Sequence, residues 1–326
     1  MNQQVKQNFK IGLMIATYIV LGVIGIYSFT LIFLAPLLMV PMTIFLMGNK
    51  KNYKRDLLIH LIISLMLFLL TGNIAEVLLY LISVAVPAHI FVTCYRNKLA
   101  LPQIAMYTGI GIVGVFYLYI IGMKYFNIDY MQMYNGFLDA AKEQYIALVN
   151  EALKVQNQAV SQEMQEQFSL MKKQFIMSVD MLKYLYPAFL LQIGVVLGVL
   201  STVFITIIGR FKRWRMLPLN QFAYFKFSRW MGVLLVISSF IALFVGEDSS
   251  SIVALAMNLY SFTIYLLQIV GIIALIMLIK KSKLTSSTKT MSIVLSVLVF
   301  FIMPFIMMLV GLADTLFNFR KVDIIV

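Results

Sequence analysis

The run from Ile11 to Met47 is 37 residues long and contains no charged side chain. A helix crosses a bilayer in roughly 20 apolar residues, so this run has the length of two crossings, with a break expected near Ser28 to Phe33. Leu57 to Tyr95, 39 residues broken at Thr71-Gly72-Asn73, again has the length of two. Ile104 to Met123, Leu185 to Gly209, Trp230 to Val245, Ile252 to Ile279 and Met291 to Leu312 add five more. The expected fold is all-α, a polytopic transmembrane helix bundle of about nine spans. Eight remain if one weak segment does not cross: Leu31 to Met47 carries Pro36 and Pro41, and Leu57 to Leu70 is short. Lipid-facing backbone must satisfy its own hydrogen bonds, so a broken segment is expected where protein covers it. Hydrophobic residues make up 62% of the chain and charged ones 12%, far from the balance of a soluble domain. Met1 to Lys10 is polar, and the run behind it is too long for a cleaved leader, so the first span is expected to stay.

One long stretch does not fit a bilayer. Lys124 to Tyr186 carries seven acids and six bases. Its apolar residues fall at Tyr134, Leu138, Ala141, Tyr145, Leu148, Ala152 and Val155, then at Met164, Phe168, Met171, Phe175 and Leu182. Such narrow stripes suit helix-on-helix packing. The expectation is an amphipathic helical hairpin on one side of the membrane, turning at the polar patch Gln156 to Gln162.

Lys and Arg give the orientation. With the N-terminus in the cytoplasm, 18 of the 26 bases fall inside, against one acid, Asp56. The hairpin 124–186 is then extracytoplasmic. Nine spans leave Arg320 and Lys321 outside, which marks either an exception or a segment that does not cross. The net charge of +13 therefore sits beside anionic lipid headgroups and implies no nucleic acid. The aromatic-basic stretch Arg210 to Arg215 reads as a membrane-interface belt.

Motifs for chemistry are few: no Walker loop, HExxH, GxSxG or DxD occurs, and the glycines Gly109, Gly111 and Gly114 lie inside the fifth apolar run, where they thin a helix. The single cysteine, Cys94, excludes a disulfide within the chain, and the two histidines, His60 and His89, read as interfacial or packing residues. The reading is of a protein that is not an enzyme, with no metal and no cofactor. Polar residues at membrane depth carry what remains. Glu76 is either a ligand contact or an acid near a helix N-terminus whose dipole favours it. Gln192, Asn258 and Gln268 are either interhelical hydrogen-bond partners or ligand contacts. The broken segment at Thr71 to Glu76 places the candidate ligand site at Asn73, Glu76 and Gln192, beneath the hairpin. Small residues mark packing faces, partner-facing ones included: Gly12 and Ala16, and Gly194 and Gly198.

The run Gly311-Leu-Ala-Asp314-Thr-Leu-Phe317-Asn-Phe319-Arg320-Lys321 resembles the ending of the YybS-like family of bacterial multi-pass membrane proteins, with Asn318 in place of that pattern's Asp. Trp214 to Pro218, Phe222 and Arg229-Trp230 are similar to its basic, aromatic loop. The resemblance covers the chain and implies a first half, 1–210, akin to the six-helix substrate-binding S components of energy-coupling-factor transporters, with 124–186 inserted at the lid side. Residues 211–326 add a cytoplasmic basic loop and about three further spans. The expected function is small-molecule binding, or a transport-related subunit lacking its own ATPase. The alternative is an MreD-like scaffold or assembly factor docking an extracytoplasmic partner through the hairpin. Expected partners are the lipid bilayer of the cell membrane and a membrane subunit or extracytoplasmic protein.

Overall fold

Helix α1 (Ile11–Val20) is followed by a 3-10 turn at Ala35–Leu38, α2 (Met39–Gly48) and α3 (Tyr53–Thr71). Then come α4 (Ile74–Tyr80), a π-helical turn (Leu81–Ala85), α5 (Val86–Arg96) and α6 (Leu101–Lys124). The long helices α7 (Tyr130–Val155) and α8 (Gln162–Phe211) follow, then α9 (Trp230–Phe244), α10 (Ser250–Lys281), α11 (Ser286–Ile302) and α12 (Pro304–Phe317). The only strands among the described residues, β1 (Phe225–Lys226) and β2 (Ile324–Ile325), form one parallel ladder. This computed structural model describes residues 11–20, 35–48, 52–125, 127–155, 162–244, 250–322 and 324–325. The break expected at Ser28 to Phe33, the N-terminal decapeptide and 156–161 of the polar hairpin tip lie outside them.

The chain is an all-α membrane protein. Among the described residues four helices are long and apolar enough to cross a bilayer, Ile74–Arg96, Leu101–Lys124, Glu166–Phe211 and Ile252–Lys281, or five if α11 and α12 count as one bent span. Helix α8 has 50 residues, about 75 Å at the α-helical rise, more than twice a bilayer's apolar core. Only its part beyond Pro187 has the composition to lie in lipid.

Hydrogen bonds gather the basic residues at one end of the bundle. Arg96 donates to the Leu46 carbonyl, Tyr95 to the Arg215 carbonyl, and Arg210 to the Leu217 carbonyl. Lys281 donates to the Arg320 carbonyl. The hairpin of α7 and α8 projects from the opposite end.

The ninth expected crossing, Met291 to Leu312, is sharply bent in the structure. The residue before a proline is pushed out of the α region, and Met303 accordingly takes φ −132°, ψ 63°. Proline suits a first helical turn, so α12 starts afresh at Pro304, bent by 110° from α11. Helix α12 then runs beside α10 in the same direction, back to the basic end. A Cβ on Gly311 would lie 1.8 Å from the Leu267 carbonyl oxygen, and one on Gly271 1.9 Å from that of Met307. Only glycine lets these backbones touch.

The tail is locked there by a buried ion pair. The Asp314 and Arg320 side chains are both fully buried, with Nη2 to Oδ2 at 2.6 Å. Arg320 also donates to the carbonyls of Ala223 (3.0 Å), at the end of a 3-10 turn, and of Phe225 (2.8 Å), in β1. Asn318 caps α12 in the left-handed conformation, φ 47°, which asparagine tolerates. Its side chain exchanges both hydrogen bonds with the Val322 backbone.

The hairpin forms, but its seam is shifted from the expected stripe. Leu138, Val149 and Val179 are buried, whereas Leu148 is 65% exposed. Tyr145 stacks on Phe175 with ring centroids 3.9 Å apart. Lys142–Asp180 (3.0 Å) and Lys183–Asp139 (2.6 Å) pair across the two helices. The Lys183 ammonium holds the Asp139 carboxyl below the usual carboxylate range. A strict heptad stripe drifts around a straight helix of 3.6 residues per turn, and Val149 replaces Leu148 as it does.

Two outcomes follow. Leu138→Ala should cost about 2–5 kcal/mol in thermal or denaturant unfolding of the detergent-solubilised protein, and Leu148→Ala should stay within about 0.5 kcal/mol. Arg320→Met, which strands a buried carboxylate, should cost about 3–5 kcal/mol, and the double variant Asp314→Leu/Arg320→Met should recover part of it. Equal losses in the single and double variants would show that the pair itself is not what holds the tail.

Candidate functional site

Three features are candidates for function: a cavity at the basic end, a histidine pair beside it, and the hairpin root at the other end. The first is a cavity of about 660 Å³ between α1, α2 and the end of α8. Leu13, Val40 and Ile44 line its apolar wall, Thr17 and Tyr18 add hydroxyls, and Lys212 and Trp214 stand at its rim. The Lys212 ammonium lies 5.4 Å from the centre of the Trp214 ring. Trp214 also packs on Gly48, where a Cβ would sit 3.0 Å from the ring. Tyr18 is almost fully buried and donates its hydroxyl to the Leu38 carbonyl at 2.6 Å. Helix α2 is short and proline-containing, yet Met39, Val40, Met42, Thr43, Ile44 and Leu46 are buried, so protein covers it as expected. The opposite holds for α3, whose Leu57, Leu61, Leu65 and Leu69 are all more than half exposed.

Beside the cavity the fold joins both histidines of the chain. His60 Nδ1 is 2.7 Å from the Tyr80 hydroxyl, and His60 Nε2 is 3.1 Å from His89 Nε2. The Tyr80 ring meets Tyr18 edge-on at 5.7 Å. Nine residues separate Tyr80 from His89, half a turn out of phase in an unbroken α-helix. The π turn at Leu81–Ala85 inserts one residue into the winding and brings both toward His60. Asp56, one turn before His60 on α3, is buried and paired with Arg55 at 2.7 Å.

The hairpin root holds the residues singled out from the sequence, but the structure engages them separately. Gly72 ends α3 at φ 64° with its N–H on the Phe68 carbonyl, as a C-terminal glycine does. Asn73 then caps α4, its side chain accepting the Ala75 N–H at 2.9 Å. Glu76 is in the first turn of that helix, where the dipole favours an acid. Gln192 turns instead toward α10 and donates to the Ser261 hydroxyl at 3.3 Å. Nearby, Tyr119 and Tyr130 share a hydrogen bond of 2.9 Å, and Tyr134 packs on Tyr186.

Asn258 has a structural role. Pro187 has no N–H and crowds the carbonyl one turn earlier. The Asn258 side chain bridges this break, accepting from the Ala188 N–H (2.8 Å) and donating to the Tyr184 carbonyl (2.7 Å). The small residues divide likewise. Gly194 and Gly198 are taken up within the chain: a Cβ on Gly198 would lie 2.3 Å from the Ala105 carbonyl oxygen of α6. Gly12 and Ala16 are exposed, while Met14 and Tyr18 face the bundle.

The apolar helices, the one-sided bases and the healed helix breaks define a multi-helix integral membrane protein. A family model described as "Predicted membrane protein (DUF2232)" matches residues 16–315, and the chain belongs to that family. No curated protein and no solved structure matches it.

Proposed function

We propose that this chain is a non-enzymatic, transport-related membrane subunit that binds a small amphipathic molecule and draws any energy from a partner. In this reading the basic end is cytoplasmic, the hairpin is outside, and the part up to Gly209 is S-component-like, in keeping with the YybS-like ending. The observation that carries it is the cavity of about 660 Å³ between α1, α2 and α8. Sites for small molecules are concave, mostly apolar and of roughly 300–1,000 Å³, with a few polar groups that orient the ligand. Here the wall is aliphatic, and Lys212 supplies a cation at the rim. An amphiphile with an anionic head fits that distribution. Asn73, Glu76 and Gln192 stand as the rival position, at the hairpin root.

A second reading, a scaffold docking an extracytoplasmic partner, draws on the hairpin surface. Met133, Phe137, Leu148, Leu170 and Met177 are each more than half exposed, on a part of the chain too polar to lie in lipid.

Native mass spectrometry of the protein purified in mild detergent tests these readings together. Wild type should carry a small molecule. Thr17→Trp, which fills the cavity from an exposed position, and Lys212→Glu should each lower occupancy about tenfold or more, the loss of one good polar or packing contact. Glu76→Gln should retain it. Loss in Glu76→Gln alone would move the site to the hairpin root. A chain without ligand that retains a stoichiometric protein partner would favour the scaffold.

A further inference from the structure

The sequence has two histidines in 326 residues, and the fold sets their Nε2 atoms 3.1 Å apart. We propose that His60 and His89 form a binding site for one proton, filled and emptied through the small pocket that Asp56 and Arg96 line at the basic end. The inference is independent of what the large cavity holds.

The hydrogen-bond inventory sets the capacity. An imidazole nitrogen either carries a proton and donates, or lacks one and accepts. At 3.1 Å one hydrogen lies between the two Nε2 atoms. In the neutral pair, the Tyr80 hydroxyl donates to His60 Nδ1, and His60 Nε2–H donates to His89 Nε2. One added proton keeps both contacts: His60 as a cation donates from Nδ1 to the Tyr80 oxygen and from Nε2 to His89. A second proton would set N–H against N–H, so the pair refuses it.

The surroundings limit how much positive charge the pair can take. His60 is 7% exposed and Asp56 5%. Asp56 lines a pocket of about 60 Å³ together with His89, Thr93, Arg96 and Asn97, room for water to carry a proton. The charged and titratable groups facing the pair are Asp56 and Arg55 from α3, Tyr80 and Arg96 from the α4–α5 helix, and Tyr18 from α1. Asp56 offers the one negative charge. Arg55, bonded to it at 2.7 Å, and Arg96 oppose any further cation. A divalent metal fits worse for the same reason. It needs more donors than two imidazoles, and the described residues contain no group of three or more His, Cys, Asp or Glu able to hold one.

The pair is also assembled rather than adjacent by default. Without the π turn at Leu81–Ala85, Tyr80 and His89 would face opposite sides of one helix. Such π turns recur at functional sites.

Full-length protein carrying ¹⁵N-labelled histidine and no histidine tag, in lipid nanodiscs, provides the test. Its histidine spectrum contains two rings, followed from pH 4 to 9. The proposal expects both rings to shift in one shared transition that takes up one proton per chain. In His89→Gln the His60 midpoint should move by about one pH unit or more, the mark of coupled sites. Two independent transitions, uptake of two protons, or no transition across the range would overturn the proposal. So would equimolar zinc shifting both rings at neutral pH, which would make the pair a metal site. The wild-type titration decides the matter even where the variant does not fold.

Discussion

Backbone groups inside a bilayer have no water to turn to, and the fold depends on every helix break being closed from within. The described helices break repeatedly in apolar surroundings, and several of these interruptions are met by a particular group. Asn258 bridges α8 at Pro187. Gly72 and Asn73 close the joint between α3 and α4 by two hydrogen bonds. Arg320 takes up the carbonyls of Ala223 and Phe225 between the 3-10 turn and the start of α9. These repairs tie α10 to α8 and the C-terminal tail to the segment before α9. They also explain the polar residues that sit within otherwise apolar runs.

The same economy shapes the candidate site. Helix α2 is short and covered, so a cavity is left between it, α1 and the end of α8. Tyr18 lines that cavity and packs on Tyr80, which holds His60. The cavity, the tyrosine pair and the histidine pair thus form one continuous region, reached from the end where the bases gather. The hairpin stands apart, held by its own seam and by the reciprocal Lys142–Asp180 and Lys183–Asp139 pairs. Such exposed pairs contribute little each, so register in the hairpin rests mainly on Leu138, Val149, Val179 and the Tyr145–Phe175 stack.

Much of this was legible in the residues. Apolar run length marks out Ile74–Arg96, Leu101–Lys124 and Ile252–Lys281 as candidate spans, whereas the uncharged run Ile11 to Met47 gives two short helices among the described residues; the acids and bases of 124–186 with their spaced apolar residues call for a hairpin. What sequence periodicity missed has physical causes. The seam drifts from Leu148 to Val149 because a straight helix does not keep a 3.5-residue period. The histidines read as separate packing residues because a regular helix puts Tyr80 and His89 out of phase, and no pattern of residue types announces the π turn that restores them. Met303-Pro304 did carry a signal for the fold-back of α12, since the residue before proline resists helix; hydropathy alone ran across it. Asn73, a ligand candidate because its segment is broken, also caps a helix, a use that the sequence Gly72-Asn73 before an apolar run suggests. The resemblance at Gly311, Asp314 and Arg320 gains a structural meaning: close approach to α10, and the ion pair that ties the tail down.

The central proposal is a membrane protein whose basic end, C-terminal tail included, faces the cytoplasm while the hairpin stands outside. Single-cysteine labelling in intact cells and inside-out vesicles, on a Cys94→Ser background with a membrane-impermeant reagent, tests it most directly. Arg213→Cys and Lys321→Cys should label only in inside-out vesicles, and Phe137→Cys and Leu170→Cys only in intact cells. Labelling of Lys321→Cys from outside would restore a straight ninth crossing. Labelling of Phe137→Cys and Arg213→Cys from the same side would contradict the account as a whole.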